Sequence, residues 1–335
     1  MKVLITGSAG FIGFSLAKVL LRKGYKILGY DSLNKYYDIK LKLSRNKILK
    51  KFKNYIFVKG QLEDQIKLKK ASLRFKPDII IHLAAQAGVR YSLDVPRKYI
   101  SSNIVGTFNI IETAHKLKVK HLLIASSSSV YGSNVSKKFK ETDKADTQLS
   151  IYAATKKSTE SIAHAYSSLW KIPTTMLRFF TVYGPWGRPD MAYFKFTEKI
   201  INNKKIDVYN RGEMYRDFTY VDDVTKSIEL LINKAPSKKN KKYKNDSLSN
   251  IAPYRVINIG NQKKIYLKDF ISEIEKNLNK KALKKFIPMQ KGDVKETLSD
   301  STLLHSLTQY KPKISYKMGV RYFLNWYKNY NKEQN

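Results

Sequence analysis

The sequence predicts an α/β protein: a doubly wound parallel sheet followed by a smaller C-terminal α/β lobe. Three observations carry this prediction. Short β-branched apolar runs alternate with longer amphipathic runs up to about residue 180, the pattern of strand–helix repeats. The first apolar run passes directly into a glycine-rich turn and then a helical pattern. Beyond residue 180 a Gly- and Pro-rich stretch, Gly184–Pro189, interrupts the alternation, and shorter elements follow.

Strands are expected over 2–6, 26–30, 55–58, 78–83, 121–126 and 174–178. Helices are expected over 11–22, 63–75, 97–117 and 152–169. Pro77 and Pro173 stand just ahead of strands, where a missing amide donor is tolerated. In the second half the pattern predicts strands over 206–209 and 256–259 and helices over 221–233, 267–279 and 320–327. Residues 235–255 are rich in Lys, Asn and Ser and read as a surface insertion. The division expected is a Rossmann-like domain over 1–180 and a lobe over 181–335, interwoven at an approximate boundary, with ligand held at the carboxyl ends of the strands.

A chain of 335 residues, 42% hydrophobic, can bury a sizeable core. It has no cysteine, which excludes disulfides, thiolate catalysis and Cys-based zinc sites; no metal site is expected. No apolar run approaches the ~18 residues of a membrane span, and the first residues lack the long apolar region of a secretory signal. A cytoplasmic protein without a membrane partner is expected. The net charge of +37 raises the question of a polyanion partner. The lysines are scattered, however, and the densest run, 238–244, reads as an exposed loop, so no nucleic-acid partner is expected.

The turn Gly7-Ser8-Ala9-Gly10-Phe11-Ile12-Gly13 lies between the first strand and the first helix. Gly7 permits the tight turn, Gly10 lets backbone amides approach a pyrophosphate, and Gly13 allows close packing. The helix N-terminus then offers free amides and its positive dipole end to the phosphates. Asp31 ends the second strand, where a carboxylate accepts ribose hydroxyls and repels a 2′-phosphate, selecting NAD over NADP. Gly60-Gln61-Leu62-Glu63 falls at the adenine edge, and the small residues after Leu83 let the cofactor lie against backbone.

Ser126–Ser129 closes the fifth strand and Tyr152-Ala153-Ala154-Thr155-Lys156 opens the next helix. Four residues are one helical turn, so Tyr152 and Lys156 share a face. An ammonium beside a phenol stabilises phenolate and lowers its pKa, producing a base that can take a hydroxyl proton while hydride leaves the same carbon. Ser127 can hydrogen-bond the reacting oxygen.

With these motifs the chain resembles the extended short-chain dehydrogenases/reductases of the NAD-dependent epimerase/dehydratase family over roughly 1–330. Within it the chain is most similar to UDP-glucuronate 4-epimerases. The segments that carry the resemblance are Gly7–Gly13, Asp31–Tyr37, Ala84–Ser92, Ala125–Gly132, Tyr152–Lys157, Arg178–Asp190 and Arg216–Asp223. The resemblance implies C4 epimerisation of a UDP-uronate by an NAD enzyme that pairs as a homodimer through helices 97–117 and 152–169. It implies a cofactor site of Gly7, Gly10, Phe11, Ile12, Gly13, Asp31, Asn34, Gln61, Leu62, Leu83, Ala84, Ala85, Asn103, Ser126, Tyr152, Lys156, Phe179 and Val182. It implies a substrate site of Arg90, Ser127, Ser128, Ser129, Tyr152, Thr181, Arg188, Val208, Tyr209, Arg216 and Asp293. In that site Arg216 takes the diphosphate, Tyr209 and Val208 the uracil, and Asp293 the ribose. Arg90 and Arg188 are candidates for the uronate carboxylate or the diphosphate. Gln61 stands where the family has Asp, and Lys291 where the subgroup has Pro.

Four other functions are weighed. A 4,6-dehydratase needs a carboxyl pair where this chain has Ser128 and Ser129. A decarboxylase would exploit the lability of a 4-keto uronate, and a UDP-glucose epimerase would take a neutral hexose. A basic RNA-binding protein on the same scaffold would not need the Ser127/Tyr152/Lys156 set.

Overall fold

A computed structural model describes residues 1–237, 243 and 245–332; most of the lysine run at 238–244 lies outside them. The strands are β1 Lys2–Thr6, β2 Lys26–Asp31, β3 Tyr55–Lys59, β4 Ile79–His82, β5 His121–Ser127, β6 Thr174–Phe179, β7 Thr181–Tyr183, β8 Ile206–Tyr209, β9 Tyr215–Tyr220, β10 Tyr254–Ile259, β11 Lys264–Tyr266 and β12 Lys284–Ile287. The helices are α1 Phe11–Arg22, α2 Ile39–Leu49, α3 Gln65–Phe75, α4 Tyr91–Asp94, α5 Pro96–Tyr99, α6 Gly106–Leu117, α7 Ile151–Trp170, α8 Ala192–Ile201, α9 Val221–Leu231, α10 Leu267–Leu278, α11 Thr302–Thr308 and α12 Tyr316–Lys332.

Among the described residues seven strands form one parallel sheet in the order β10-β6-β5-β4-β1-β2-β3. Strand order reverses between β1 and β4, the crevice where open α/β sheets bind ligands. The central strands are buried on both faces, which is why they read as unbroken apolar runs. One core layer sets α1 and α9 against the sheet; the other sets α6 and α7 against its opposite face. β10 and α9 come from the second half of the chain, so the halves interleave. A third core gathers α8, α10 and α12 around β8 and β9.

The structure departs from the pattern reading in several places: α8, β9, β12 and α11 have no counterpart in it, and residues 252–255, expected at the end of a surface insertion, are buried where the chain enters β10. The sequence assigns no element to 39–49, where α2 forms; its buried face carries Lys42, Arg45 and Asn46, so no apolar stripe marks it. The expected 97–117 helix is three consecutive segments, α5, a π-helical stretch Ile100–Val105, and α6. The widened turn carries Asn103 inward. The last helix runs a full turn beyond the expected 320–327 at each end, because aromatic residues spread around it keep finding partners. No helix among the described residues is long and apolar enough to cross a membrane.

Candidate active site

A cleft of about 620 Å³ follows the carboxyl ends of β1, β2, β4, β5 and β6. At one end lies the glycine turn. Gly7 has φ +73°, and a Cβ on Gly13 would fall 2.1 Å from the Gly7 carbonyl oxygen, so the turn closes only without side chains there. Asp31 stands beside it, accepting from the amides of Ala9 at 3.0 Å and Leu33 at 2.8 Å. These bonds fix the carboxylate and leave lone pairs for a ribose. Gln61 and Leu62 form the next wall, Leu83–Ala85 the floor, and Ser126, Phe179 and Val182 the far side. These walls fit a dinucleotide: backbone at the diphosphate position, a carboxylate at the ribose, and small residues underneath.

At the other end Tyr152, Lys156, Ser127 and Arg188 converge. Ser150 caps α7 by accepting from Ala153 at 3.2 Å, which places Tyr152 in the first turn. Burial pushes the Tyr152 phenol up; a hydrogen bond from Ser127 and the Arg188 charge oppose that rise. Lys156 is not among the groups that act on it here. The Lys156 ammonium donates instead to the Ala125 carbonyl at 2.9 Å. Burial lowers its pKa to about 8, against the pull of Glu160.

Beneath them is a buried pair the sequence reading missed. Glu160 accepts from Arg178 at 2.9 and 2.8 Å and from Ser126 at 2.6 Å. Glu160 lies one helical turn past Lys156, and that spacing was the available signal. The pair turns the Ser126 hydroxyl into the core and away from the cleft.

Other expected residues lie elsewhere. Asn103 is buried behind the wall, donating to the Gln86 carbonyl at 3.0 Å and accepting from the Gln86 amide at 2.7 Å, so it shapes the cleft without lining it. Asn34 reaches the cleft edge but is held by Lys42 at 2.6 Å. Ser128 and Ser129 follow β5 in a short 3₁₀ turn, and Thr181 opens β7; none of the three lines the cleft. Val208 is fully buried in the third core, so its side chain packs the lobe and is not presented to a ligand. Arg90 stacks over the Tyr209 ring at 4.7 Å and donates to its hydroxyl at 2.8 Å. Arg216 pairs with Asp293 at 2.8 Å. Arg188 is held bidentate by Asp190, which also accepts from the Tyr36 hydroxyl at 3.1 Å. Among the described residues no cluster of metal-ligating side chains is present.

Residues 3–260 match the NAD dependent epimerase/dehydratase family, and the chain belongs to it. It is 50% identical to Protein CapI of Staphylococcus aureus, over 99% of this chain and 100% of that one. It is 47% identical to a probable UDP-glucuronate 4-epimerase of Rhizobium meliloti (strain 1021), over 98% and 97% of the two chains. Among solved structures it is similar to UDP-glucuronic acid 4-epimerase from Bacillus cereus in complex with UDP-glucuronic acid and NAD, with 32% identity and a TM-score of 0.88. That match covers 98% of this chain and 100% of the other.

Proposed function

We propose that this protein is an NAD-dependent epimerase that inverts C4 of UDP-glucuronate to give UDP-galacturonate. The observation that carries the reading is the meeting of Tyr152, Ser127, Lys156 and Arg188 at one end of a dinucleotide-shaped cleft. The likeness to relatives and a solved structure named for that activity supports it.

NAD bound along the glycine turn and Asp31 would accept hydride from C4 of the sugar and return it. The residues of the chain handle the proton and the geometry. Tyr152 takes the 4-hydroxyl proton; its phenol, raised by burial, is opposed by Ser127 and Arg188, and a bound pyridinium would add its charge to theirs. Lys156, one turn further on, shares the helix face with Tyr152 and holds the Ala125 carbonyl at the end of β5. Ser127 bonds the reacting oxygen and relays the proton. The 4-keto sugar would then turn and present its other face, and Tyr152 would return the proton as hydride comes back to C4. Ser127, the one hydroxyl of the serine run and Thr181 that lines the cleft, holds the sugar without locking it. Arg188 faces the uronate, with Asp190 and Tyr36 fixing its direction. Arg216 and Asp293, with Arg90 and Tyr209, receive the UDP.

The partner proposed is a second copy of the chain. The π-helical stretch and the helices α6 and α7 expose Val105, Phe108, Leu169 and Trp170, and Phe108, Tyr166 and Trp170 form a continuous aromatic row. Such a row on paired helices suits an isologous four-helix contact. A cytoplasmic setting, which the absence of cysteine fits, belongs to the same reading.

The test is substrate preference. A pocket built for a carboxylate leaves its donors unsatisfied by a neutral hexose, so kcat/KM for UDP-glucuronate should exceed that for UDP-glucose by about 100-fold or more. Arg188→Ala should reduce that ratio more than it weakens UDP binding. Equal efficiency on the two sugars would reassign the enzyme to UDP-glucose.

A further inference from the structure

Arg45 is among the largest fully buried side chains of the protein, and the cleft lining does not include it. Its guanidinium donates to the Ala9 carbonyl at 3.0 Å, to the Tyr37 hydroxyl at 2.7 Å, and to the carbonyls of Trp186 and Gly187. All four partners are neutral oxygens, and Nε has no acceptor. Among the described residues no carboxylate pairs with it. Neither neighbouring acid bonds to it: Asp31 accepts from the Ala9 and Leu33 amides, and Asp190 is paired with Arg188. Leaving a guanidinium out of water without an anion is costly, because carbonyl dipoles only partly replace hydration.

The location suggests what balances the charge. Ala9 sits inside the glycine turn, and the two peptide units that flank it are both held, the amide by Asp31 and the carbonyl by Arg45. On the other flank Arg45 holds the 184–190 loop, which brings Arg188 to the catalytic end. That loop is braced further by Trp186, whose ring meets Phe14, Trp326 and Tyr330 at 5.2–5.3 Å. We propose that Arg45 is the buried counter-charge of the cofactor's diphosphate, and that its bonds to both loops make cofactor retention and the placement of Arg188 one structural unit. A guanidinium suits this role because its planar fork reaches two loops at once.

Removing Arg45 also strands the Ala9, Trp186 and Gly187 carbonyls, so the role of its charge is read from diphosphate ligands and not from stability. The inference rests on the dinucleotide reading of the cleft, and a wild-type protein that carries no NAD would remove that reading first. The experiment uses purified holoenzyme. It measures the rate at which NAD leaves on dilution, and the concentrations of ADP-ribose and of adenosine that displace half of the bound NAD. In Arg45→Met, NAD should leave about tenfold faster, and the preference for ADP-ribose over adenosine should fall about tenfold, the scale of one lost charge-assisted interaction. Arg45→Lys keeps the charge but not the fork, and its preference should stay within about threefold of wild type. If Arg45→Met does not fold, Arg45→Gln replaces it, with the same expectation as for Met. An unchanged preference in the neutral variant, or an equal fall in Arg45→Lys, would overturn the proposal.

Discussion

At the glycine turn the binding surface stands ready: Asp31 is clamped by two backbone amides and the floor is small residues. Across the catalytic residues the nucleotide-sugar side is arranged differently. Arg216 is paired with Asp293, Arg188 with Asp190, and Arg90 with the Tyr209 ring and hydroxyl. On the first side a ligand meets groups oriented by backbone. On the second, under the proposed function, it is accepted by arginines that already have partners, so binding there would exchange one set of charge-assisted bonds for another. Such an exchange costs little when the incoming anion replaces the outgoing one, and it disfavours ligands that bring no anion.

The largest effect expected is at the junction of the two sides. Tyr152→Phe should fold, keep its NAD, and lose about 100-fold or more in turnover, the scale of a removed acid–base group. Near-normal turnover would remove Tyr152 from its role. On the exchanging side, Arg216→Ala should weaken UDP binding about tenfold or more, as expected for a lost charge-assisted pair, with NAD binding unchanged. Calorimetry with UDP and NAD checks both, and equal losses for the two ligands would erase the distinction between the sides. On the preorganised side, Asp31→Ala should reduce discrimination of NAD against NADP about tenfold, since a 2′-phosphate no longer meets a carboxylate. A wild type that prefers NADP would contradict the assignment.

A smaller effect concerns the sheet beneath the cofactor. His82 is fully buried between Thr6 Oγ1 at 2.7 Å and Thr107 Oγ1 at 2.9 Å, and burial lowers its pKa to about 3 from 6.5. The unfolded chain therefore takes up this proton first as the pH falls. Stability is intact above pH 6.5 and declines from there toward about 3, by at most about 1.4 kcal/mol per pH unit from this group. Denaturant melts of wild type and His82→Gln over that range should show a shallower decline in the variant. Parallel declines would show that His82 carries no such linkage.

The same contrast explains what could be read from residues alone. β1, α1 and β8 follow their predicted bounds because each combines a clear period with a terminating turn. The cofactor side is legible because its residues sit at strand ends within one continuous pattern. α2 escapes because buried lysine, arginine and asparagine mimic a solvated segment. The short strands β7 and β11 have three residues each, too few to show a period. The pairings Arg90–Tyr209 and Arg216–Asp293 join segments far apart in the chain, so resemblance could nominate these residues but no local pattern could show their partners. Val208 alternates correctly along β8, yet the alternation does not say which face meets the ligand.

The central claim is that hydride leaves C4 and returns to it from a cofactor that stays bound. Incubating the protein with UDP-glucuronate in D₂O and following the sugar by proton NMR tests this directly. The account predicts UDP-galacturonate whose C4 and C5 positions keep protium, with no net NADH. Deuterium at C5, or a UDP-pentose with carbon dioxide as the main product, would contradict it.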